Sequence, residues 1–329
     1  MRIRVLSSTS KNFELIHQKK IKKRCVYHID LNQLLDKELN IGLEGFFICQ
    51  LESEEANLNS YLIHSNFDSN LKYPLVIGVA GSLGWHEHNY EYMEMYRNMG
   101  LATFELKSFS SRDVSSTVGS QVEVTMASMI FDSYKALDTL SNHPNIDKNN
   151  VSITGWSLGG GVALFSAWEN LVNAINPKNN FAAHLPIYPP CFMKKTSSMI
   201  FTDAPIHILI GELDDWTPAL ACEELVDMVE ETKSNINITV YENSHHGFDS
   251  DRKYTFVENG YSFTKCRFDV RSDGAVLMNF FKIPMTSPLL QKIGFSFCTS
   301  RGTTIEGNPS SKLKAHMFSA SYMKKHLID

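Results

Sequence analysis

The stretch ITGWSLGGGVALF, Ile153–Phe165, decides how this chain folds. It closes the apolar, β-branched run VSITG (Val151–Gly155) and opens a run with helical spacing. Between them stands Gly155-Trp156-Ser157-Leu158-Gly159, a G-x-S-x-G. A strand that turns this sharply into a helix strains its central residue, and neighbours without a Cβ relieve the crowding. The Ser157 hydroxyl then projects above the sheet, beside the positive end of the helix. The competing reading is a packing turn whose glycines only let helix and sheet lie close.

Working outward, PLVIGVAG (74–81) is a continuous apolar run ending in glycine, suited to a strand buried on both faces. HNYEYMEMYRNMG (88–100) has helical spacing and a C-terminal glycine. LATFEL follows as a strand, and QVEVTMASMIFDSYKALDTLS (121–141) as a long helix. GGGVALFSAWENLVNAI reads as one helix, FAAHLPIYP and IHILIG (206–211) as strands, and PALACEELVDMVEET as a helix. NITVYE (237–242) is a further strand and SKLKAHMFSASYMKKHLI the last helix. Strands alternating with helices imply an α/β fold, a mostly parallel central sheet with helices on both faces. Residues 1–70 read as an N-terminal extension with edge strands, GFFICQL and SYLIHS, packed on the core domain of residues 71–329.

Composition narrows the function. With 329 residues, 43% of them hydrophobic, the chain can bury a large core. A net charge of −5 implies no broad basic face, so nucleic acid is not an expected partner. No run reaches the roughly 18 apolar residues of a membrane span, and no signal-peptide pattern opens the sequence, so a cytoplasmic location is expected. The six cysteines show no zinc-ligand spacing; that compartment would keep them as thiols, with one or two disulfides as the alternative.

In a parallel sheet, functional groups gather beyond the carboxyl ends of the strands. A serine hydroxyl needs a base within reach, and the base needs an orienting carboxylate. The expected order is Ser, then Asp or Glu, then His, each after a later strand. IHILIGELDDWTP supplies Asp214 and Asp215, and ITVYENSHHGFD supplies His245 and His246. Asp214, directly past the turn, is preferred as orienter, leaving Asp215 solvated or capping the next helix. His246, before Gly247-Phe248, is preferred over His245 as base. The developing oxyanion needs N–H donors, for which Leu158 and, in the loop AGSLGWHEH (80–88), Ser82 are the candidates. His86 and His88 form an H-x-H, but no acidic or cysteine ligand completes a metal site.

These residues carry a resemblance. PLVIGVAGSLGWHEH, ITGWSLGGGVAL, IYPPC, ILIGELDDWTPALAC and VYENSHHGFD resemble the dienelactone hydrolase group of α/β-hydrolases, and RGTTIEGNPSSKLKAH resembles the tail of a larger branch of it. The resemblance spans roughly residues 70–326 and implies an α/β-hydrolase fold for 71–329, with neither metal nor organic cofactor. It implies Ser157 as nucleophile, Asp214 as orienter, His246 as base, and Ser82 and Leu158 as oxyanion donors. Founding members carry cysteine where this chain has Ser157, which turns the expectation from dienelactone itself toward a general esterase. Many relatives also read His-Gly where this chain has Ala80-Gly81. In SFSSRDV (108–114), a segment resembling part of the pocket in this branch, Arg112 would bind an anionic substrate group or else pair with a local carboxylate. Trp216 and Tyr188 would line the acyl pocket or simply pack. Cys191 and Cys222 both follow strands toward the same sheet edge, within possible reach of a disulfide.

The expected activity is cleavage of a small carboxylic ester or lactone through an acyl-enzyme. The same triad would also serve acyl transfer to an alcohol or thiol, or peptide cleavage. A hydrolase-like binding protein would lack a triad member, and here all three are present.

Overall fold

The computed structural model describes residues 71–193, 200–230, 235–271, 275–279 and 281–329, together with the backbone of five strands earlier in the chain. These five are β1 (Ile3–Ser7), β2 (Phe13–Leu15), β3 (Lys20–Ile21), β4 (Arg24–Asp30) and β5 (Glu44–Gln50). Six core strands follow: β6 (Tyr73–Val79), β7 (Ala102–Leu106), β8 (Ile146–Trp156), β9 (Ala183–Ile187), β10 (Ile206–Gly211) and β11 (Ile236–Tyr241). They lie in the order β11-β10-β9-β8-β6-β7, every neighbouring pair parallel. The expected parallel α/β sheet is therefore present. It continues through β5, antiparallel to β7, into β4, β1 and β2. The run GFFICQ is thus interior to the sheet, between β4 and β7, rather than at an edge. Its expected companion SYLIHS lies outside the described residues.

The helices are α1 (Glu87–Asn98), α2 (Met126–Leu140), α3 (Leu158–Phe165), α4 (Glu169–Ile175), α5 (Ala219–Glu230), α6 (Pro288–Ser296) and α7 (Pro309–Leu327). They cover both faces of the sheet, as the period-two alternation of β8 makes plain. Ser152 meets Met323 of α7 and Trp156 meets Tyr92 of α1, whereas Gly155 faces α3. Two helices differ from expectation. The α2 helix starts at Met126, because Thr125 caps it by accepting the Ser128 N–H at 3.2 Å, and Gln121 sits at φ 62°. The single helix expected after Ser157 breaks into α3 and α4 around Trp168, which bridges to Phe201.

A segment between the last core strand and α7 carries elements the periodicity did not announce. It holds β12 (Thr255–Ser262), β13 (Asp269–Val270), β14 (Val276–Leu277), α6 and β15 (Ser300–Ile305). β12 pairs antiparallel with β15, closing the excursion at its base. Two disulfides are present: Cys191–Cys222, the pairing left open beside the expected thiols, and Cys266–Cys298, a pairing not singled out in the sequence. The first joins the loop after β9 to α5, and the second staples the excursion across 32 residues. Among the described residues no helix is long and apolar enough to cross a membrane.

Candidate active site

The turn at the end of β8 explains the glycines. Ser157 stands at φ 55°, ψ −118°, a conformation a non-glycine residue holds only when its surroundings enforce it. A Cβ on Gly159 would run into the Val79 carbonyl, and one on Gly155 into the Gly159 carbonyl. Helix α3 therefore starts directly against the sheet, with Ser157 at its N-terminus.

The loop after β10 holds Asp214, and the loop after β11 holds His246. His246 Nε2 is 3.0 Å from Ser157 Oγ, and His246 Nδ1 is 2.8 Å from Asp214 Oδ2. The three residues singled out by their order along the chain thus form one hydrogen-bonded line. Asp214 is fixed in turn: its Oδ1 accepts the N–H groups of Trp216 at 2.9 Å and Thr217 at 2.7 Å. The Thr217 hydroxyl donates to Asp214 Oδ2 at 3.1 Å. Both Asp214 and His246 are buried, so their interaction is little screened.

The neighbouring members of each pair have other partners. Asp215 is half-buried, and its Oδ1 accepts the Thr304 N–H at 2.8 Å, tying β15 to the loop after β10. His245 Nε2 lies 3.7 Å from Glu306 Oε2.

Ser82 is buried beside Ser157. Its hydroxyl donates to Gln121 Oε1 at 2.9 Å, while its carbonyl accepts from Thr117 N–H and Ser116 Oγ, both at 2.9 Å. The loop 80–88 is thereby pinned to the segment before α2. Leu158 N–H is among the first donors of α3, which have no partner inside a helix. Trp216 and Tyr188 both pack against the His246 ring, with centroids 5.0 Å and 4.7 Å away.

Arg112 is not brought to this site. Its guanidinium forks onto Asp132, Nη1–Oδ2 at 2.7 Å and Nη2–Oδ1 at 2.9 Å, and also donates to the Ser108 carbonyl. Asp132 sits on α2 and is fully buried, so Arg112 is its counter-ion. The cation beside Ser157 is instead Arg252, missed in the sequence although it lies six residues past His246. Its Nη2 approaches His86 at 3.3 Å, and among the described residues no carboxylate pairs with it. Burial and the Arg252 charge lower the pKa of His86, and burial, the neighbouring His86 and Arg252 lower that of His88 to about 3.

A buried carboxylate, Asp249, lies behind Tyr188 and Trp156. It accepts the Tyr188 hydroxyl at 2.9 Å and Trp156 Nε1–H at 3.1 Å. Burial raises its pKa to about 6. Nothing in the spacing of HHGFD distinguished this aspartate from a surface one.

Two spaces meet at Ser157. One is a cavity of about 230 Å³ between α2, α3 and the excursion. The other is a recess of about 50 Å³ walled by His246, His86, His88 and Arg252.

With this geometry in hand, comparison with known proteins is decisive at the level of family. The sequence profile of the Dienelactone hydrolase family matches residues 94–265, just over half of the chain, including Ser157, Asp214 and His246. The chain belongs to the dienelactone hydrolase family. It is accordingly a carboxylic ester hydrolase with the α/β-hydrolase fold. No curated protein matches it by sequence. Among solved structures it is similar to a dienelactone hydrolase-like promiscuous phosphotriesterase from metagenomic libraries, at 12% identity and TM-score 0.52 over 86% of this chain and 92% of the other. An α/β hydrolase enzyme from a Medee basin deep-sea metagenome library gives 15% identity and TM-score 0.47 over 69% and 85%. Thermogutta terrifontis esterase 2 gives 12% identity and TM-score 0.46 over 63% and 80%. At these identities the first likeness speaks to fold alone.

Proposed function

We propose that the protein is a serine esterase that cleaves carboxylic esters through an acyl-enzyme, with Ser157 as nucleophile, His246 as general base and acid, and Asp214 as orienter. One observation carries the reading: the His246 ring bridges Ser157 Oγ at 3.0 Å and Asp214 Oδ2 at 2.8 Å. With Nδ1–H donated to Asp214, Nε2 is left as acceptor for the Ser157 proton. Ser157 Oγ attacks the ester carbonyl as its proton moves to His246. The N–H groups of Leu158 and Ser82 hold the oxyanion, each such donor contributing about 3 kcal/mol to the transition state. The tetrahedral adduct then collapses: the C–O bond to the alcohol breaks, and the alkoxide leaves with the proton from His246. Water attacks the acyl-serine with His246 again as base, releasing the acid and restoring Ser157. Trp216 and Tyr188 hold the imidazole between them.

The test is the Ser157→Ala protein. It should fold with an unchanged circular dichroism spectrum, lose ester turnover to background and fail to react with a fluorophosphonate. Turnover surviving in this variant would remove the assignment.

A further inference from the structure

The notable asymmetry of the site lies in what walls the two spaces at Ser157. The larger cavity has, among the described residues, no ionisable side chain in its lining. Ile130, Phe165 and Trp168 form its floor on the core side. Phe263, Met285 and Phe295, all from the excursion between β11 and α7, form the opposite wall. Ser82, Gln121 and Thr217 add polar groups where it reaches Ser157, and Thr125, Thr286 and Gln291 add neutral ones elsewhere. Apolar surface of this kind, closed over by a stapled segment, binds through removal of hydrocarbon from water.

Orientation follows from the proton's path. His246 must hand its proton to the departing alcohol oxygen, so that oxygen lies on the side His246 lines. His246 borders the small recess and not the large cavity, whereas Leu158 borders the large cavity and not the recess. The alcohol portion therefore occupies the smaller recess, beside His246, and the acyl portion extends past Leu158 into the cavity.

We propose, building on the serine-esterase reading, that the substrates are esters of medium-chain apolar carboxylic acids with small alcohols, the acyl chain lying against Phe263, Met285 and Phe295. Size sets the range. An apolar cavity of about 150 Å³ holds a benzene ring. At about 230 Å³ this one takes an apolar chain of about six to ten carbons. Each methylene buried there strengthens binding up to about fourfold. The recess, at about 50 Å³, has room for little more than the alcohol's first atoms. The excursion is thus a specificity-determining wall.

The experiment measures kcat/KM of the purified protein for methyl esters from butanoate to dodecanoate by titrating released acid. The value should rise at least tenfold from butanoate to octanoate and level off or fall beyond decanoate. Ala127→Trp, on the first turn of α2 at the cavity's edge, should lower the octanoate-to-butanoate ratio at least tenfold. Met285→Ala, on the opposite wall, should move the optimum to longer chains, and it stands in if the first variant does not fold. A binding readout separates the two readings: alkyl methyl ketones of rising length, titrated against Ser157→Ala by the fluorescence of Trp168 and Trp216, should tighten with each methylene. A flat chain-length profile with Ser157-dependent turnover overturns the acyl assignment and leaves the esterase standing. No turnover with length-dependent ketone binding overturns the esterase and supports the apolar-chain site. Failure of both removes both.

Discussion

Asp214 and Asp215 are adjacent in the chain and have separate tasks. Asp214 receives three hydrogen bonds from Trp216 and Thr217 besides its contact with His246. Asp215 anchors the β15 backbone. Asp214→Asn would keep the shape and still accept some of those bonds, but its amide would present a donor to Nδ1 or hold the wrong tautomer. We expect kcat to fall by about 10⁴-fold with the fold retained, measured by steady-state kinetics beside a thermal melt. At this scale the hydrogen-bonded line of Ser157, His246 and Asp214 was legible, because the three occupy turns just beyond strands and their order follows the sheet. Arg112 was not. Its carboxylate partner Asp132 lies twenty residues on, on α2, and only packing shows that the two meet. Arg252 and Asp249 escaped for the same reason: burial and isolation from counter-charges are properties of the surroundings.

At the scale of elements, the core strands and helices announced themselves, since burial on both faces leaves unbroken apolar runs such as Leu75–Val79. The excursion of residues 255–305 did not. Two of its strands, β13 and β14, are only two residues long, and β12 finds its partner β15 about forty residues away. The Cys266–Cys298 bridge closes most of this segment into a loop, so it should carry much of its order. Replacing both cysteines by serine is expected to cost about 3 kcal/mol. Urea unfolding with and without a reductant would check it: the reductant should lower the wild-type midpoint and change the double variant less. Equal response in both proteins would mean this staple contributes nothing to global stability. The expectation of free thiols failed because cysteine pairing depends on which loops the sheet brings together, not on local spacing.

For the whole molecule, the buried titratable groups predict how stability varies with pH. Burial lowers the pKa of His88 to about 3 and of His143, His184 and His207 to about 4, against an ordinary 6.5. Unfolding lets each take up a proton, so their contribution is complete above pH 6.5 and is lost as pH falls toward 4. Asp249 acts in the opposite sense. Its pKa is raised to about 6 from 3.8, so its contribution is complete below 3.8 and is lost as pH rises through 6. The histidines outnumber it, and the urea midpoint should fall between pH 7 and pH 5. In Asp249→Asn the fall should be steeper, because the offsetting proton is gone; an unchanged slope would show that Asp249 does not titrate there. What the sequence determined by itself was the alternation of strand and helix, the sharp turn at Ser157 and the order of Ser157, Asp214 and His246 beyond successive strands, because these rest on local periodicity and on which side of a strand a loop falls. What only the tertiary structure decided was the cap over the cavity, the two disulfides, the counter-ion of Arg112 and the two unequal spaces at Ser157. Each of those depends on groups distant in the chain being pressed together, and no local rule of backbone or side chain carries that distance.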